Sequence, residues 1–151
     1  MKFGAACLAI LVGFAAASMA ADNDRKHIVL ERTSEWRGLP FSDGVLVGDT
    51  LYVGGHVGID PKTGKPAASA EDDAKFALDT VKQTIEKAGM TMGDLVFVQV
   101  YCTGASDYAA FNGVYKTYFR GEYPARTFVQ AGKLLGGARF EVQGVAVRRA
   151  R

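Results

Sequence analysis

The segment SAEDDAKFALDTVKQTIEKAG, residues 69–89, is followed after four residues by DLVFVQVYCT, residues 94–103, and the two obey different periods. In the first, Ala74, Ala77, Leu78, Val81, Ile85 and Ala88 recur at helical spacing and make one apolar stripe. Ser69 and Asp72 resemble a capping box at its start, and Gly89 suits its C-terminal end. The second is a long apolar, β-branched run that reads as a strand. Downstream, YAAFNGVYKTYF (108–119) reads as a second helix, with Phe111, Val114, Tyr115 and Tyr118 on one face and Ser106 or Asp107 as its cap. Gly113 weakens it slightly. ARTFVQAG (125–132) and ARFEVQGVAV (138–147) read as closing strands joined by KLLGG. Upstream, HIVLER (27–32) reads as a first strand and GVLVGDTLYVGG (44–55) as a hairpin turning at GDT. IDPKTGKP (59–66) follows as a loop rich in turn formers. The order β-ββ-α-β-α-ββ predicts an α+β domain, with two helices on one face of a mixed sheet.

A chain of 151 residues with 48% hydrophobic content supports one domain and a real core. Eighteen basic and sixteen acidic residues give a formal +2. A charge so near neutral lacks the electrostatic footprint of a nucleic-acid binder. The basic end, Arg148 to Arg151, is a local exception and reads as a solvated tail.

The opening MKFGAACLAILVGFAAASMA has a positive Lys2, an apolar stretch from Phe3 to Ala17, and small residues Ser18 and Ala20 flanking Met19. This is the pattern of a secretory signal over residues 1–20, too short and too poorly flanked for a stable membrane span. Cleavage after Ala20 would leave one domain over 21–151, periplasmic or secreted, with a charge of +1 once Lys2 is gone. Gly4, three positions before Cys7, argues against a lipid anchor there.

With Cys7 removed, Cys102 has no intramolecular disulfide partner, and its apolar setting reads as a small buried hydrophobe rather than a nucleophile. His27 and His56 give no metal-ligand spacing with it, so no metal site is expected.

One cation stands out. EYPARTFVQAG, residues 122–132, sets Arg126 at the head of a run that otherwise reads as a buried strand. A guanidinium can give a carboxylate two parallel hydrogen bonds and stays charged at any working pH, while Pro124 stiffens the segment that presents it. Spacing alone leaves this role level with a structural ion pair to a core carboxylate.

The series DPKTGKP, helix, GDLVFVQVY, YAAFNGVYKTYF, YPARTFV and FEVQGVAVRR resembles the reactive intermediate deaminase (YjgF-type) family over nearly all the mature chain. Its most specific element is PAR followed, after fourteen intervening residues, by Glu141 in a strand ending AVRR. The resemblance implies a chorismate-mutase-like protomer that assembles as a homotrimer, with clefts lined by neighbouring subunits. It implies hydrolysis of 2-imino or 2-enamino acids to 2-oxo acids and ammonia with no cofactor. It assigns carboxylate binding to Arg126 and the positioning of water to Glu141, aided by backbone donors near Gly54 and Gly55. Arg139, two residues before Glu141, is the alternative partner for that carboxylate.

The chain also departs from the pattern. Phe41 stands where the family commonly has tyrosine, Gly54 where serine is common, and His56 where glutamine is usual. Loss of a hydroxyl and a Cβ is expected to enlarge and dry the pocket, which suits a larger or more apolar substrate side chain. Phe41 and His56 are placed with Arg126, Gly54 and Gly55 around the substrate, although a lone histidine beside apolar Val57 reads equally as a hydrogen-bonded core or rim residue. Trp36 is placed at the pocket mouth or as a loop anchor. Asn112 and Tyr115 match a helical N-x-x-Y of the family but are assigned to packing. The competing reading is a non-enzymatic trimeric binding protein for small carboxylate metabolites. A ribonuclease activity, attached to relatives, sits poorly with the charge. The exported chain should begin at Ala21, which N-terminal sequencing of secreted material checks; an intact Met1 overturns the signal reading.

Overall fold

The computed structural model describes residues 25–31 and 38–149. The leader, its cleavage site, Trp36 and Arg151 lie outside the described residues.

Six strands form one sheet: β1 (Arg25–Ile28), β2 (Gly44–Val47), β3 (Thr50–Val57), β4 (Leu95–Cys102), β5 (Ala125–Gln130) and β6 (Phe140–Val147). Helix α1 (Ala70–Lys87) joins β3 to β4, and α2 (Tyr108–Tyr115) joins β4 to β5. The spatial order is β1-β2-β3-β6-β4-β5, with β4 and β5 parallel and the other neighbours antiparallel. The predicted α+β class with a mixed sheet and two helices is what the chain adopts.

Local chemistry sets these boundaries. Ser69 caps α1 by accepting the N–H of Asp72 at 3.0 Å, while its hydroxyl donates to the Asp72 carboxylate at 2.8 Å. Gly89, at φ +73°, ends the helix in a conformation that a side chain disfavours. Gly48, at φ +56°, turns the β2–β3 hairpin. Strand β1 starts two residues earlier than HIVLER suggests. Arg25 and Lys26 pair with Val47 and Leu46 through the backbone, which needs no apolar side chain at a sheet edge. Helix α2 has no side-chain cap; Asp107 lies 3.8 Å from the guanidinium of Arg139 instead. The basic end is not a free tail either. Arg148 donates to the carbonyls of Ala88 and Gly89, and Arg149 to that of Gly93, so cations satisfy acceptors at the end of α1 and just beyond.

The apolar stripe of α1 packs on one sheet face against Leu51, Val98, Val100, Phe140 and Val142. Each buried Val, Leu or Ile contributes about 1.5–3 kcal/mol. Cys102 is part of this layer, and burial pushes its thiol up, consistent with an inert packing role.

One buried charge interrupts the stripe. Asp73, fully buried, accepts the main-chain N–H of Arg139 at 2.8 Å and of Phe140 at 3.0 Å. Its carboxylate occupies the space a Cβ at residue 58 would need, so Gly58 is required there. Desolvation raises its pKa, and the two N–H bonds and the Arg139 charge pull it back. Asp73→Ala strands two buried donors and should cost about 2–5 kcal/mol of stability, read from denaturant melts.

Candidate functional site

Arg126 is the second residue of β5 and lies in register with Val98 of β4, a core residue, so its side chain leaves the sheet on the helix-bearing face. There it meets α2. Tyr108, Phe111, Asn112 and Tyr115 recur at i, i+3, i+4 and i+7 and share one side of that helix. The Arg126 Nη2 donates to Asn112 Oδ1 at 2.7 Å. Its Cζ stands 4.6 Å from the ring centre of Tyr115, 5.7 Å from Phe111, 5.8 Å from Phe128 and 5.9 Å from Tyr108. Ring faces and an amide oxygen thus hold the guanidinium in place. Among the described residues no carboxylate pairs with it. The structural ion pair that spacing left open is not formed among the described residues, and the half-buried guanidinium is held by Asn112 and the rings instead.

The surrounding phenols respond to this charge. Tyr115 is buried, and its hydroxyl has no hydrogen-bond partner among the described residues. Burial pushes its pKa up to about 12 against the opposing pull of Arg126. At Tyr108, hydrogen bonding to the Asn112 side chain and then the charge of Arg126 hold the phenol below its usual value.

Glu141 occupies a different place. It lies opposite Tyr101 of β4, between the core residues Phe140 and Val142, so its side chain leaves the sheet on the face away from the helices. Its carboxylate packs over Gly55, in the space of an absent Cβ at the irregularity where β3 meets β6. It makes no hydrogen bond or ion pair among the described residues, and Arg139 is engaged with Asp107 instead. Within one chain, then, Arg126 and Glu141 lie on opposite faces of the sheet with β4 between their strands.

The remaining predicted residues divide between these places. Gly54 donates its N–H to the Asp43 carbonyl at 2.8 Å, so this donor is committed to the fold. A Cβ on Gly54 would stand 3.2 Å from the Ser42 carbonyl oxygen, so glycine here permits close approach of two backbone segments rather than a wider pocket. His56 is buried and turned toward α1, with Nε2 3.2 Å from Thr84 Oγ1 and Nδ1 3.8 Å from Asp43 Oδ1. Phe41 is 50% exposed. Phe41, Gly55 and His56 border a cavity of about 270 Å³ with Val57, Phe76 and Thr80. No group of three or more metal-ligating side chains occurs among the described residues.

Sequence reading missed Tyr108 and assigned Asn112 and Tyr115 to packing. Their helical spacing from one another was visible; that their shared face meets an arginine was not.

The chain matches the family described as Endoribonuclease L-PSP over residues 37–148. It is 33% identical over 114 residues to the putative reactive intermediate deaminase TdcF of Escherichia coli, covering 74% of this chain and 88% of that one. It is 37% identical over 110 residues to the 2-iminobutanoate/2-iminopropanoate deaminase of Rattus norvegicus, covering 72% and 80% respectively. Among solved structures, the YjgF gene product of E. coli superposes with a TM-score of 0.75 at 32% identity, over 82% of this chain and 99% of that one. E. coli TdcF with bound serine gives 0.74 at 30% identity, over 82% and 100%.

Gly55→Ala tests how Glu141 is seated. A Cβ there meets only the far end of a flexible side chain, so the carboxylate should move aside and melting should shift by less than about 1 kcal/mol. A larger loss would mean that Glu141 is fixed where it stands.

Proposed function

The chain belongs to the endoribonuclease L-PSP family, which includes named 2-imino acid deaminases, and from that premise we propose that it hydrolyses 2-imino or 2-enamino acids to 2-oxo acids and ammonia. Relatives at this identity support deamination at the level of the family. The reading for this chain rests on one observation: the Arg126 guanidinium is fixed by Asn112 and aromatic rings and has no carboxylate partner among the described residues.

In this mechanism Arg126 takes the substrate carboxylate with two hydrogen bonds and fixes the adjacent C=N carbon. Glu141 accepts a proton from water as the oxygen adds to that carbon. It passes that proton to nitrogen to give a carbinolamine, then takes the hydroxyl proton and delivers it to nitrogen as the C–N bond breaks, leaving a carbonyl and ammonia. Because Arg126 and Glu141 occupy opposite faces of one sheet, the proposal assigns them to neighbouring subunits of a homotrimer. Tyr52, Phe97 and Val147, exposed on the helix-free face, give such an assembly apolar surface to bury. The leader at residues 1–20 would place this work outside the cytoplasm, where oxidases or dehydrogenases acting on amino acids are suitable imine donors.

A second reading, a trimeric binder of small carboxylates without turnover, draws on Phe41, which offers no hydroxyl, and on Gly54, whose N–H is engaged by Asp43.

Arg126→Lys and Arg126→Ala separate these ideas. If the fork orients the carboxylate, lysine fails nearly as badly as alanine. Loss of about 2–5 kcal/mol should lower kcat/KM by roughly thirty-fold or more in both, with melting preserved. Imines generated in situ by an amino-acid oxidase and trapped with semicarbazide give the rates. Normal turnover by the folded fraction of either variant refutes the assignment. Carboxylate binding by a parent protein without turnover selects the binding-protein reading.

A further inference from the structure

We propose that Tyr108 is a second substrate-contacting residue beside Arg126, its phenol O–H donating to the same substrate carboxylate. The inference rests on the reading of Arg126 as the carboxylate holder.

Four rings surround the guanidinium, and their exposure differs. Phe111 is fully buried, Tyr115 nearly so and Phe128 partly covered, whereas Tyr108 is 48% exposed. An anion approaching Arg126 therefore passes the Tyr108 ring. That ring is fixed: it stands edge-on against Phe128, with centres 4.9 Å apart and planes at 89°.

Asn112 holds the guanidinium beside this ring: its Oδ1 accepts from Arg126 at 2.7 Å, and Tyr108 lies one helical turn before it on the same side of α2. With the Arg126 Cζ 5.9 Å from the Tyr108 ring centre, the guanidinium and the phenol border one exposed spot, and a single carboxylate can engage both. The hydroxyl missing at Phe41 is in this way supplied from the arginine side of the site.

The phenol must be protonated to donate, and as phenolate it would repel a carboxylate. The Asn112 contact and the Arg126 charge favour phenolate, so substrate binding should weaken at a pH below tyrosine's usual value near 10. The other charged or titratable groups of this neighbourhood act differently. Arg126 stays cationic, Asp107 is paired with Arg139, Tyr115 is pushed up to about 12, and Tyr123 stacks on Tyr115 rather than on Tyr108.

Tyr108→Phe keeps the ring and removes only the hydroxyl. With imine substrates generated by an amino-acid oxidase, the variant should melt as the parent does. It should raise KM roughly tenfold, leave kcat within about twofold, and lose the alkaline fall in kcat/KM expected of the parent. An unchanged KM together with an unchanged alkaline limb overturns the role of Tyr108 while leaving Arg126 in place, as does a loss confined to kcat. A parent protein that neither hydrolyses imines nor binds pyruvate overturns the Arg126 reading, and this one with it.

Discussion

Two backbone N–H groups at the start of β6, those of Arg139 and Phe140, turn to the buried Asp73 carboxylate rather than to a neighbouring strand. A buried donor left unpaired costs on the order of a hydrogen bond or more, so the chain supplies a carboxylate from α1 to receive both. This Asp73 contact ties the helix layer to β6, which lies between β3 and β4 in the sheet. The register of β6 then decides which face Glu141 occupies. A slip by one residue would turn Glu141 toward the core and Phe140 and Val142 toward solvent. Everything proposed for the site depends on that phase.

Much of this architecture was legible in the sequence, because a stripe at helical spacing and apolar strand runs bounded by turn formers are local signals. The α1 stripe, the Gly89 stop and the hairpin at GDT are of this kind. Asp73 was not legible. It sits one residue before Ala74 among acidic neighbours that face water, and nothing local distinguishes it from Asp72. Arg148 and Arg149 looked like a solvated tail for the same reason, since their acceptors lie 56 to 60 residues away in sequence. The strand boundary at Arg25 was missed because backbone pairing at an edge leaves little trace in side-chain composition.

The site was legible in part. Arg126 drew notice as a charge in an apolar strand, and Glu141 through the pattern it shares with relatives. Gly55 gains a physical reason from the carboxylate lying over it, whereas Gly54 proves to be a point of close backbone approach. The aromatic frame around Arg126 is a tertiary fact: it needs the rings of α2 packed on Phe128 of β5 and Phe140 of β6, and only long-range pairing creates it. Sequence reading also placed Arg126 and Glu141 in one site. The alternation of side chains along β5 and β6 sends them to opposite sides of the sheet, a separation that becomes evident only once strand register is known.

Strand β6 comes last in chain order among the described elements, yet both β3 and β4 pair with it. Until residues 140–147 emerge from the ribosome, β3 and β4 each lack a neighbour, and the aspartate clamp has nothing to hold. Folding of this domain therefore waits until those residues are available. Until that pairing forms, the nascent chain exposes the strand edges of β3 and β4 that β6 later covers.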